Sequence, residues 1–102
     1  MRMKVNVQSV NFTVDQKLVN FIHKKLSKLE QYYDKIIYAD VFLKVQSTSN
    51  PENKITEILL SIPKSETIIK KKSKTFEAGI DECISSLSRQ LSKRKQKQTF
   101  YA

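Results

Sequence analysis

The chain has no tryptophan, one glycine, one cysteine and one histidine among 102 residues. Each scarcity removes a class of chemistry. A lone cysteine, Cys83, cannot close an internal disulfide and offers no metal cluster. A lone glycine, Gly79, leaves no glycine-rich phosphate loop. His23 falls on the polar face of a helical stretch, where solvated surface is its expected role. Long apolar runs are missing too, the longest being short stretches such as Ile58-Leu59-Leu60, so no transmembrane helix is expected. The opening MRMKVNVQSV alternates and lacks the apolar stretch of a signal peptide. These residues point to no enzyme, no cofactor, no metal, no small-molecule substrate and no membrane. The expected setting is the cytoplasm.

Acids are scarce relative to bases. Nineteen Lys and Arg stand against ten Asp and Glu, a formal charge of +9 with a sequence pI near 9.7. The excess is uneven. Residues 70–98 hold nine basic groups against three acids (Glu77, Asp81 and Glu82), a net +6 and two-thirds of the total. Charge concentrated this way is the footprint of a polyanion binder. Apolar residues at 39% and charged residues at 28% suit one small folded domain with a single core.

Periodicity orders the chain as β-α-β-β-β-α. Met3 to Gln8 alternates and reads as a strand. Thr13 is the expected N-cap of a helix from Val14 to about Tyr33, with Val14, Leu18, Phe21, Ile22, Leu26, Leu29 and Tyr33 on one apolar face. Lys17, Lys24 and Lys28 line a flank of that face, and Lys25 lies near its apolar side, where its stem can cover core residues. Ile37 to Gln46 alternates again, with Ile37, Ala39, Val41, Leu43 and Val45 on the buried side. After the turn cluster STSNPENK, Ile55 to Ile62 forms a strand with Ile58, Leu60 and Ile62 inward. Pro63-Lys64-Ser65 turns the chain into a shorter strand, Glu66 to Lys72. From about Lys74 to Gln96 the period is helical, and Phe76, Ile80, Cys83, Ile84, Leu87 and Leu91 form a tight stripe. The expected fold is α+β: a four-stranded mixed sheet with both helices packed on one face. A right-handed crossover sets the first strand beside and parallel to the second. The basic edges of both helices then face one side of the molecule.

The stretch LSRQLSKRKQKQ (87–98) packs five cations into nine positions with no acid. A helix C-terminus favours cations by about 0.3–1 kcal/mol within its last turn, which accounts for one or two of them. Five suggest an external anion. Tyr32, Tyr33, Tyr38 and Phe42 do not form a pair of base-stacking motifs, so recognition of RNA by phosphate and shape is expected. Two other readings stand beside this one. One is a general double-stranded RNA-binding module. The other is an adaptor using an outer sheet face that exposes Tyr38, Phe42 and Leu59.

KKLSKLEQYYDKI (24–36), followed after three strands by SKTFEAGIDECISSLSRQLSKRKQK (73–97), resembles the ribosome hibernation-promoting factor family, also called ribosome-associated inhibitor or sigma-54 modulation protein. VNVQSVNFTVDQKLVNFIHKKL (5–26) and the element order agree, and the resemblance spans Met3 to about Gln98. It implies a single ribosome-binding domain over 3–98 with a short tail, 99–102. It also implies a stress factor that binds the small ribosomal subunit and its rRNA in the mRNA and tRNA channel, keeping ribosomes inactive. By motif position the rRNA-binding residues are Lys25, Lys28, Arg89 and Lys93; Lys24, Lys74, Arg94, Lys95 and Lys97 join them on charge. The expectation is a short form of the dimer-promoting kind, for which a separate ribosome-dimerising factor is the implied further partner. Where the family often has Asp-Met-Tyr or Asp-Leu-Tyr, Lys74-Thr75-Phe76 keeps the aromatic and loses the acid and the hydroxyl.

Overall fold

The computed structural model describes residues 3–10 and 12–101, with side chains described as far as Lys93. Its elements run β1 (Lys4–Val10), α1 (Gln16–Tyr32), β2 (Tyr38–Val45), β3 (Lys54–Ile62), β4 (Ser65–Ser73) and α2 (Phe76–Tyr101). The sheet order is β1-β2-β3-β4, with β1 parallel to β2 and the other pairs antiparallel. The parallel pair is the expected product of a right-handed β-α-β crossover.

Alternation decides which residues enter the core. Ala39, Val41 and Leu43 of β2 and Thr56, Ile58, Leu60 and Ile62 of β3 turn toward the helices and are buried. Ile22, Leu26 and Leu29 of α1 meet them, with Tyr33 just past the helix, as do Phe76, Ile80, Cys83, Leu87 and Leu91 of α2. Burying a Leu or Ile fully is worth about 1.5–3 kcal/mol, so these two stripes hold the helices to one face. Met3 N donates to Glu30 Oε2 at 2.8 Å, tying the start of β1 to α1. Phe12 stacks on Phe76 with ring centroids 4.8 Å apart, which brings the chain entering α1 against the start of α2. The two helices are therefore parallel, with their N-termini at the same end.

Several local expectations need correction. The N-cap of α1 is Asp15, not Thr13: its side chain accepts from Leu18 N at 2.8 Å, an N3 amide that Thr13 is too early to serve. Ile37 is 54% exposed, because the strand begins one residue later and Ile36 fills the core position instead. β4 is as long as β3, nine residues each. Its hairpin turns on Pro63 and Lys64 alone, and Lys64 takes the left-handed conformation at φ 64°. Helix α2 starts at Phe76, with Thr75 Oγ1 accepting from Ala78 N at 3.1 Å, and continues past Gln96 to Tyr101.

Gly79 belongs to this packing. A methyl group there would lie 2.5 Å from Thr56 Oγ1, so the absence of a side chain is what lets α2 settle onto β3.

Candidate nucleic-acid interface

The basic residues expected to meet RNA fall into three groups. Lys24 and Lys28 of α1 and Arg89 and Lys93 of α2 are exposed on the helix layer. Among the described residues, none of the four has a carboxylate within ion-pair distance. Arg89 uses one donor locally, Nη2 to Ser86 Oγ at 3.2 Å, leaving the rest of its fork free. Lys25 is different. Its Nζ pairs with Asp81 Oδ1 at 3.0 Å and lies 5.4 Å from the centroid of the Phe21 ring, so it bridges α1 to α2. The side chains of Arg94, Lys95 and Lys97 lie outside the described residues, on a stretch whose backbone is helical.

The Lys25–Asp81 contact fixes the helices' relative level. At 1.5 Å per residue, Arg89 lies about 12 Å beyond that contact along α2, and Lys93 about 18 Å beyond it. Lys28 is about 4.5 Å past it on α1, so these four cations are spread over about 20 Å along the helix layer. Lys74 is exposed but precedes α2, about 20 Å or more along the axis from Arg89, with Glu77, Asp81 and Glu82 on the turns between. The structure sets Lys74 apart from Arg89 and Lys93.

Helix phase also separates the two flanks of α2. Asp81 faces α1, while Glu82 accepts from Ser73 Oγ of β4 at 3.3 Å and Gln90 accepts from Thr67 Oγ1. At 100° per residue Arg89 and Lys93 share the flank of Glu82, toward β4 rather than toward the groove between the helices. Lys71, on the helix-facing side of β4, lines the same surface as Arg89. It was missing from the expected site. Strand parity could have found it, since in a run of three lysines the middle one must face opposite to its neighbours.

Burial pushes the Cys83 thiol up to about 11, with Lys71 lowering it and Glu82 raising it, which disfavours the thiolate that a reactive cysteine needs. No group of three or more His, Cys, Asp or Glu among the described residues is placed to hold a metal ion. No helix among them is long and apolar enough to cross a membrane.

Residues 5–99 match the family described as sigma 54 modulation protein / S30EA ribosomal protein. The chain belongs to this family. Within it, a Pseudomonas putida protein named ribosome hibernation promoting factor is 33% identical over 96 residues, covering 94% of this chain and 90% of its own. The Escherichia coli K12 protein of the same name is 32% identical over 95 residues, with 93% and 96% covered. Two solved structures share the fold of this S30EA family member. A ribosomal subunit interface protein from Coxiella burnetii superposes with a TM-score of 0.81 at 21% identity, covering 92% of this chain and 99% of that one. The N-terminal domain of Thermus thermophilus Protein Y gives 0.75 at 20% identity, with 91% and 98% covered.

Proposed function

We propose that this chain is a ribosome hibernation factor, a non-enzymatic protein of the cytoplasm that binds the small ribosomal subunit and holds idle ribosomes inactive under stress. Its ligand is rRNA in the mRNA and tRNA channel, met by Lys24, Lys28, Arg89 and Lys93, with Lys25 available by exchange from Asp81. Arg94, Lys95 and Lys97 extend the same basic helix, and a separate ribosome-dimerising factor is the further partner. The observation that supports the reading is a set of exposed cations on the two helices, free of carboxylate partners among the described residues, on a member of the S30EA family. With Lys25, Glu77, Asp81 and Glu82 balancing or opposing one another at one end, the positive field concentrates on the C-terminal half of α2.

Co-sedimentation with small and large ribosomal subunits, at two salt concentrations, tests it. Four phosphates neutralised by four side chains give a log–log salt slope of about −3, or roughly 50- to 150-fold weaker binding over a fourfold rise in salt. Binding to small subunits with that dependence is the expected result. Affinity unchanged by salt, or equal competition by free duplex RNA, contradicts it; the second outcome describes a general double-stranded RNA-binding module.

A further inference from the structure

Between β4 and the solvent-facing side of α2 lies an open concavity of about 360 Å³, lined by Lys71, Asp81, Glu82, Ser85, Ser86 and Arg89. Strand parity delivers Lys71 to it. Lys70 and Lys72 are exposed on the open face of the sheet, whereas Lys71, in register with buried Thr56, turns toward the helix layer and is half-buried. Arg89 reaches the same space from α2, and Ser85 is exposed at its rim. Neither cation has a carboxylate within ion-pair distance among the described residues. The two acids of the rim are engaged elsewhere: Asp81 with Lys25 at 3.0 Å, and Glu82 with the Ser73 hydroxyl at 3.3 Å.

An ammonium, a guanidinium fork and a hydroxyl on residues lining one concavity with room for a phosphate are a donor set for a tetrahedral oxyanion. Lys71 is also half-buried before anything binds, so less side-chain freedom is lost on contact. We propose that Lys71, Arg89 and Ser85 form a phosphate subsite between β4 and α2 that takes a backbone phosphodiester of RNA. The footprint then wraps from the helix layer onto the sheet edge, and β4 is part of the binding surface. This rests on the RNA-binding reading above and assigns it a contact outside the two helices.

The test compares the full chain with Lys71→Gln, Lys71→Arg, Ser85→Asp and Glu82→Gln for binding to small ribosomal subunits at two salt concentrations. One phosphate contact contributes roughly 0.7–0.9 to the salt slope, so Lys71→Gln should shrink the loss across a fourfold salt rise by about threefold. Lys71→Arg should retain binding, Ser85→Asp should weaken it, and Glu82→Gln should tighten it by removing a rim carboxylate. Should Lys71→Gln disturb the circular dichroism spectrum, the exposed Ser85→Asp variant carries the test. Wild-type affinity and slope in both Lys71→Gln and Ser85→Asp overturn the subsite while leaving the hibernation reading intact. Failure of the wild-type chain to bind any subunit overturns both. Inorganic phosphate is titrated separately while following the Lys71, Ser85 and Arg89 amide resonances. Saturable binding there, with ribosome affinity insensitive to Lys71→Gln, would assign the site to free phosphate and also reject the proposal.

Discussion

Gly79→Ala is expected to destabilise the protein although alanine is the better helix former. Alanine in place of glycine in a helix interior is worth about 1 kcal/mol. Against this, the new methyl group would lie 2.5 Å from Thr56 Oγ1 and 3.2 Å from Thr56 Cβ. The first distance is about half an ångström inside the limit of real contacts, so an atom must move. Thr56 cannot readily comply: it is fully buried and sits in register between Leu43 and Lys71, and its β-branched side chain is stiff at χ1. Nor can α2 lift away without exposing Ile80 and Cys83, both fully buried. Overpacking of this kind costs about 1–3 kcal/mol, and the upper part of that range leaves a net loss of about 1–2 kcal/mol. Urea unfolding followed by circular dichroism measures it. Thr56→Ala removes Oγ1, so the Gly79→Ala/Thr56→Ala double variant should recover most of the loss, with a coupling of about 1 kcal/mol or more. A Gly79→Ala protein more stable than the parent by the full propensity gain would refute the reasoning.

Asp15→Ala should cost about 1 kcal/mol by removing the N-cap acceptor of Leu18 N, again read by urea unfolding; an effect near zero would return the cap to Thr13. Cys83 should resist iodoacetamide at pH 8 in the native protein and react fully in guanidinium, since the thiol is buried and pushed up to about 11. With its folded value above the unfolded 9.0, its contribution to stability is complete below about pH 9 and is lost as pH rises from there to about 11. Asp81→Asn should change stability by less than about 1 kcal/mol, because the pair with Lys25 is partly exposed. The same substitution frees the Lys25 amine and should tighten binding to small subunits; weaker binding would mean that Lys25 works as a bridge between helices and not as an RNA ligand.

Much of this fold is legible in the sequence because burial writes a period. The stripe Phe76, Ile80, Cys83, Leu87 and Leu91 and the alternation through Ala39, Val41 and Leu43 place their residues in the core where expected, with Ile84 half-buried at the stripe's edge. Patterns fail at ends. Ile37 continues the alternation by one residue, yet the chain has not entered the strand, and Ile36 occupies the core. Thr13 and Asp15 are both good capping residues two positions apart, and only the geometry at Leu18 N separates them. Thr56 reads as polar on the inward side of a strand that otherwise carries Ile58, Leu60 and Ile62 there, and it is buried close against Gly79 of α2.

Site residues are harder to read, because charge carries no period. Helical phase places Lys24, Lys28, Arg89 and Lys93 on the surface, but which cations are neutralised is decided by long-range contacts. Lys25 meets Asp81 from a position 56 residues away in the chain, and no local pattern encodes that pairing. Conversely, Lys71 reads as one of three lysines at a strand end until the register sets it beside Arg89.

The most direct test of the central claim is small-subunit binding by the Arg89→Glu/Lys93→Glu variant, with its circular dichroism recorded in parallel. Both positions are exposed, so the helical signal should match the parent. Binding, and with it inhibition of translation in vitro, should be lost. A folded double variant that still binds and inhibits like the parent would show that Arg89 and Lys93 of α2 are not what holds the protein to the ribosome.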